Sequence, residues 1–149
     1  MKRRAYRLGF SLIEAVMVLL IVAVVIGALT PSVIRQIAHA RVNRAANVVA
    51  ADFFLAQSLA GRQHGPVLVS FDSTNKQTTI TQPPPANTNL LTRRFGIDSE
   101  FKLTTFTASA TTVQILPNGM ANAAVVMTVG SGGYNRQVRI TRAGQIRVL

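Results

Sequence analysis

The chain is predicted to be α+β, with one long amino-terminal helix packed on a small antiparallel β-sheet domain. Three observations predict it. Residues 10–29 form an almost uninterrupted apolar run of 20 residues. Residues 34–60 then place apolar side chains at three- and four-residue steps, the period of a helix with one buried face. From Pro66 onward the chain breaks into short stretches rich in Val, Ile, Thr and Phe, separated by turn residues, as in an antiparallel sheet. The segments are a basic leader at 1–9, the transmembrane half of the helix at 10–30, its amphipathic half at 31–60, and a β-rich head at 61–149.

The leader carries Lys2, Arg3, Arg4 and Arg7 and ends at Gly9. Four cations ahead of an apolar run hold the amino terminus in the cytoplasm and place the bulk of the chain across the membrane. At about 1.5 Å per residue, such a run crosses a hydrocarbon core of about 30 Å as a single helix. A cleaved secretory signal has a shorter apolar region and a small-residue cleavage site. Here Ala28-Leu29-Thr30 is followed at once by Pro31, so the run is expected to stay in the mature protein. Glu14 lies near the start of the run. An ionised group costs about 2.5–3.5 kcal/mol at a helix centre in lipid and less near the interface, which marks Glu14 as a working residue. Pro31 deletes one helical hydrogen bond and its ring presses on the carbonyl of Gly27, so Gly27 and Pro31 mark an expected kink.

In the second half of the helix, Ile34, Ile37, Ala38, Val42, Ala45, Val48, Val49, Ala56 and Leu59 make the apolar stripe. Arg35, His39, Asn43 and Asn47 mark the opposite side. Arg41 and Asp52 fall on the apolar stripe and Phe54 on the polar one; a helix buried on two faces, one toward neighbouring subunits, accounts for Phe54. Gly61 and Gly65-Pro66 are expected to stop the helix after residue 60. Strands are expected at 67–72, 77–81, 91–95, 102–107, 112–116, 124–129, 136–141 and 145–149. Pro83-Pro84-Pro85 reads as a stiff spacer. Gly130-Ser131-Gly132-Gly133 reads as a flexible turn, lacking the lysine and following helix of a phosphate loop.

The last two strands register themselves. A three-residue loop, Arg142-Ala143-Gly144, with glycine at its left-handed position sets Ile140 opposite Ile146 and Val138 opposite Val148, so the apolar residues share one face. Arg139 then lies across from Arg147 on the polar face, with Arg142 at the tip. Like charges directly opposite are destabilising. Either they are solvated or bridged to Asp98 and Glu100, or they meet an anionic partner; Arg136, on the same strand, is counted with them.

Composition excludes several functions. The 149 residues contain no cysteine, which removes thiol chemistry and cysteine ligation. The net charge is +11; without the leader, 12 basic residues stand against 5 acidic ones, so the mature chain favours anionic partners. His39 and His64 have no neighbouring carboxylate and read as surface residues. Asp98-Ser99-Glu100 offers two carboxylates, too few for a calcium ion that takes about six to eight oxygens. No nucleophile or metalloprotease motif is present. Neither an enzymatic activity nor a cofactor is expected.

Gly9-Phe10-Ser11-Leu12-Ile13-Glu14 resembles the prepilin signal of type IV pilins and type II secretion pseudopilins. The resemblance implies that a prepilin peptidase cuts between Gly9 and Phe10 and that Phe10 is then N-methylated. It implies that Glu14 pairs with the Phe10 amine of a neighbouring subunit as the chain docks on an assembly platform in a bacterial inner membrane. It also gives the Pro31 region a role in local unwinding within a filament. The partners implied are other pilin or pseudopilin subunits, the peptidase, the platform and the lipid bilayer. Ile115-Leu116-Pro117-Asn118-Gly119, with Arg139-Ile140, Gly144 and Ile146, resembles the tail of the GspH/FimT group of minor pseudopilins. Some FimT-like minor pilins bind DNA through a tail motif Gly-Arg-x-Arg; the matching positions read Gly144-Gln145-Ile146-Arg147, with Arg139 able to supply a cation from the paired strand. A partner held by its phosphates would bind without sequence preference and weaken steeply with salt.

Overall fold

The computed structural model describes residues 11–149; Gly9 and Phe10 lie outside them. One helix, α1, runs Leu12–Gln63. Eight strands follow: β1 Val67–Asp72, β2 Gln77–Thr81, β3 Asn89–Arg94, β4 Thr105–Ala108, β5 Thr112–Ile115, β6 Val125–Ser131, β7 Tyr134–Ile140 and β8 Ile146–Val148. They form two four-stranded antiparallel sheets, ordered β3-β2-β1-β5 and β4-β6-β7-β8.

The chain divides into two compact units, one ending at Gln36 and the other spanning Ile37–Leu149. In the first, every described residue is exposed, and the helix is apolar and long enough to cross a membrane. Its start is capped: the Glu14 N–H donates to Ser11 Oγ at 3.3 Å, so Ser11 is the N-cap and Glu14 sits in the first turn. The Ser-x-x-Glu spacing is that of a capping box. The helix continues through Pro31, and Thr30 Oγ1 donates to the Ile26 carbonyl at 2.7 Å.

The second unit holds the core. Val42, Ala45, Ala46, Val49, Phe53, Ala56 and Ala60 form the buried stripe of α1, and four of these seven are alanines that let the helix backbone come close to its neighbours. Each sheet turns alternate side chains inward: Val67, Val69 and Phe71 of β1, for instance, and Val125, Met127 and Val129 of β6. Phe95 packs on Phe101 and Phe106 with ring centroids 5.1 and 5.4 Å apart.

The helix departs from expectation at two places. Ile34 and Ile37, expected on the buried stripe, are exposed, whereas Phe53 is fully buried. Gly61 does not stop the helix; it continues to Gln63 and closes with His64 at φ 49°. There the Gly65 N–H reaches the Ala60 carbonyl and the His64 N–H reaches that of Gly61, which is the pairing of a Schellman cap. Phe54, on the polar side, is exposed. Among the strands, β3 ends at Arg94 because Phe95 turns into the core, and β4 starts only at Thr105. The expected flexible turn at 130–133 is a tight one: Gly130 and Ser131 extend β6, and only Gly132 and Gly133 turn, with φ of 60° and 81°. Two positive φ values in a two-residue loop match the twist of a hairpin.

Asp52, on the apolar stripe, is explained by a partner that sequence did not name. Arg93 Nε donates to both of its carboxylate oxygens, at 3.1 and 3.0 Å, from an inward-facing position on β3. Burial pushes the Asp52 carboxyl above its ordinary value of 3.8, and the hydrogen bond and charge of Arg93 pull it back in part. A raised folded value means that the native state holds the proton more tightly than the unfolded chain. Stability from this group is therefore greatest in acid and falls as pH rises from 3.8 through the raised value. Arg93→Ala is expected to cost about 2–3 kcal/mol near neutrality, because a buried carboxylate loses its partner. It should also steepen that acid-side slope, as read by urea unfolding of the Ile37–Leu149 unit across pH. Equal slopes for variant and wild type would contradict the assignment.

Candidate functional site

The carboxy-terminal hairpin is built as its pattern demands. β7 pairs β8 with Val138 opposite Val148, Arg139 opposite Arg147 and Ile140 opposite Ile146. The loop closes through the Gly144 N–H to the Thr141 carbonyl at 2.9 Å and the Thr141 N–H to the Gln145 carbonyl at 3.0 Å, with Gly144 at φ 80°. Val138 and Ile140 are buried, Ile146 and Val148 half-buried, and Arg139 and Arg147 are exposed on the other face.

Two further contacts hold the tip in place. The Ala121 N–H donates to the Arg142 carbonyl at 3.0 Å. From α1, Gln57 Nε2 donates to the carbonyls of both Gly119 and Gly144, at 3.1 and 2.7 Å. A single half-buried amide thus ties the helix to the two loops that carried the second family resemblance. Nothing in the periodicity of α1 singles Gln57 out, since it lies at the margin of the apolar stripe; the signal lies in Gly144, where a Cβ would crowd its amide.

Of the four arginines expected to act together, the structure brings Arg139 and Arg147 side by side and leaves Arg142 exposed at the tip. Arg136 does not join them. It lies opposite Val129, on the inward-facing side of β7 with Val138 and Ile140, and its Nε is buried without a hydrogen-bond partner. Neither of the acids expected as alternative partners is paired with these arginines. Glu100 pairs with Arg44 at 3.0 Å, and among the described residues no ion pair reaches Arg139, Arg142 or Arg147. The outward row of the sheet is Val126, Arg139, Arg147, so the pair stands beside an uncharged neighbour.

At the other end, Glu14 is exposed in the first turn of α1, where the oriented amides of the helix start favour a negative charge. His39, expected to be a plain surface residue, stacks on Tyr134 with ring centroids 4.0 Å apart, and the Tyr134 hydroxyl donates to Asn43 Oδ1 at 3.3 Å. These contacts join α1 to the β6–β7 hairpin. Among the described residues, no group of three or more His, Asp or Glu side chains is arranged to hold a metal ion.

Comparison with known proteins agrees with this architecture. The family described as type II transport protein GspH matches residues 45–144, from the buried stretch of α1 to the tip of the last hairpin. In structure, the chain is similar to the type IV minor pilin FimU of Pseudomonas aeruginosa, with a TM-score of 0.60 at 17% identity, covering 74% of this chain and 90% of that one. It is also similar to the minor pseudopilin EpsH from the type 2 secretion system of Vibrio cholerae, with a TM-score of 0.52 at 14% identity, covering 73% of this chain and 96% of that one. No curated protein matches the chain in sequence.

Proposed function

The chain belongs to the GspH family of type II transport proteins, and from that membership we propose that it is a minor pilin or pseudopilin, a structural subunit of a type II secretion pseudopilus or a type IV pilus. The observation that carries the reading is the division of labour within α1. Its first half is apolar, exposed and of membrane length, while its second half is the spine of the head's core. One helix thus supplies both an anchor and the spine of a folded domain.

On this reading the prepilin peptidase cuts after Gly9, Phe10 is methylated, and the mature chain crosses the inner membrane once with its head in the periplasm. Glu14 then meets the Phe10 amine of a neighbour, two charges that are costly alone in lipid and compensate each other on contact. Gly27 and Pro31 give the helix a point where it can unwind on packing, since proline leaves one carbonyl without its helical donor. Exposed Phe54 supplies an apolar contact for an adjacent subunit. The test is recovery of the full chain in the sheared filament fraction of cells carrying its assembly system. Its presence there only when the peptidase is active supports the reading, and its confinement to the membrane fraction in both cases contradicts it.

A second reading is favoured by the arginine pair alone: capture of DNA through Arg139, Arg147 and Arg142. Two guanidinium groups held across a strand pair, with no carboxylate on them, suit phosphate oxygens. Gel shifts of the full chain in detergent should then weaken with salt, and Arg139→Ala with Arg147→Ala should reduce both affinity and salt slope, the slope by about 2 for two lost phosphate contacts. Unchanged binding by that double variant would remove the reading.

A further inference from the structure

A cleft of about 440 Å³ opens between the β1–β2 turn and the loop after β3, well away from the arginine hairpin in sequence. It is lined by Lys76, Arg94, Asp98, Ile97, Thr74 and Ser99 among others. The volume is within the range of ligand pockets, about 300–1,000 Å³. We propose that this cleft receives an acidic segment of a different protein chain, holding its carboxylates on Lys76 and Arg94.

Three features of the molecule support this. First, both cations line the cleft, and among the described residues the ion pairs are Arg44 with Glu100 and Arg93 with Asp52, neither of which involves Lys76 or Arg94. Second, Lys76 holds φ 48°, a left-handed backbone that glycine or asparagine adopts with least strain. The turn is otherwise well made, with Asp72 Oδ1 accepting the N–H groups of Thr74 and Asn75 and the Lys76 carbonyl accepting the Phe95 N–H at 2.7 Å. Backbone strain of this kind is common at ligand-binding positions, and here it falls on a residue that lines the cleft. Third, the lining suits a peptide better than a small anion. Asp98 opposes a multiply charged phosphate but accepts N–H groups, and Ile97, 65% exposed, offers hydrocarbon beside the cations.

The occupant is not a second copy of this chain. The 149 residues hold five acids. Glu14 lies in the apolar run, Asp52 is buried on Arg93, Asp72 is bound within its own turn, Asp98 lines the cleft, and Glu100 is held by Arg44. No segment of these 149 residues carries two neighbouring carboxylates free of an intramolecular partner, which favours a different protein as the source of the charge.

The test is fluorescence anisotropy on the full chain in nonionic detergent, using a labelled octapeptide of alternating glutamate and threonine, blocked at both ends. Saturable binding is expected, with none for the counterpart in which glutamine replaces glutamate. Lys76→Gly and Arg94→Gln should each weaken binding by roughly tenfold. Lys76→Gly should melt no lower than wild type, because glycine relieves the backbone, so lost binding cannot be ascribed to lost fold. Arg62→Gln, which removes an exposed cation outside the cleft, should leave peptide binding unchanged. Absence of saturable binding, undiminished binding by Lys76→Gly, an equal loss in Arg62→Gln, or displacement of the peptide by an equal concentration of inorganic phosphate would each overturn the proposal.

Discussion

Gly144→Ala is expected to destabilise the head by about 3–5 kcal/mol, a large share of the 5–15 kcal/mol typical of a domain. Three effects combine. Gly144 holds φ 80°, which costs an L-residue about 1–2 kcal/mol. A Cβ there would collide with the Gly119 carbonyl oxygen, a backbone atom that cannot rotate away, and would crowd Gln57 Nε2 at 2.9 Å. Displacing either loop also costs the helix its two hydrogen bonds from Gln57. Gly119→Ala separates the terms, because Gly119 has the same φ of 80° but a Cβ there meets nothing within 4 Å. It should therefore cost about 1–2 kcal/mol, the backbone part alone. Urea unfolding of the Ile37–Leu149 unit reads both variants, and equal costs for the two would show that the loops do not press on each other as described.

The largest functional effect is expected at Glu14. Glu14→Val should leave membrane insertion intact, since it removes a charge from the apolar run, yet abolish recovery of the chain in sheared filaments. Removing one partner of a buried ion pair costs about 3–5 kcal/mol, which is roughly a hundredfold or more in subunit association. Glu14→Gln, which keeps the shape, should fail as Glu14→Val does if charge compensation drives docking. Normal assembly of Glu14→Gln would reduce the residue to its place in the first helical turn beside Ser11.

The two variants lie at opposite limits of what the sequence makes legible. Periodicity changes from 3.6 to 2 at Pro66, and both the helix and all eight strands follow from it. The last hairpin could be registered in full because only one loop length puts Ile140, Ile146, Val138 and Val148 on a single face. Features made by distant residues could not be read this way. Asp52 looked misplaced on an apolar stripe because its partner, Arg93, is 41 positions away. Gln57 looked unremarkable because its acceptors are 62 and 87 positions away. Arg136 was grouped with Arg139 by charge alone, although an odd spacing along a strand sends the two to opposite faces. The helix runs past Gly61 because three further residues complete a cap that satisfies its last carbonyls.

The intact mass and amino-terminal sequence of the protein recovered from its native membrane test the central claim most directly. The account predicts a mature chain of 140 residues beginning at N-methyl-Phe10, the product of cleavage after Gly9. A chain that still carried Met1 to Gly9 in cells with an active prepilin peptidase would contradict it, and would leave a membrane-anchored β domain whose Glu14 has no neighbouring amine to meet.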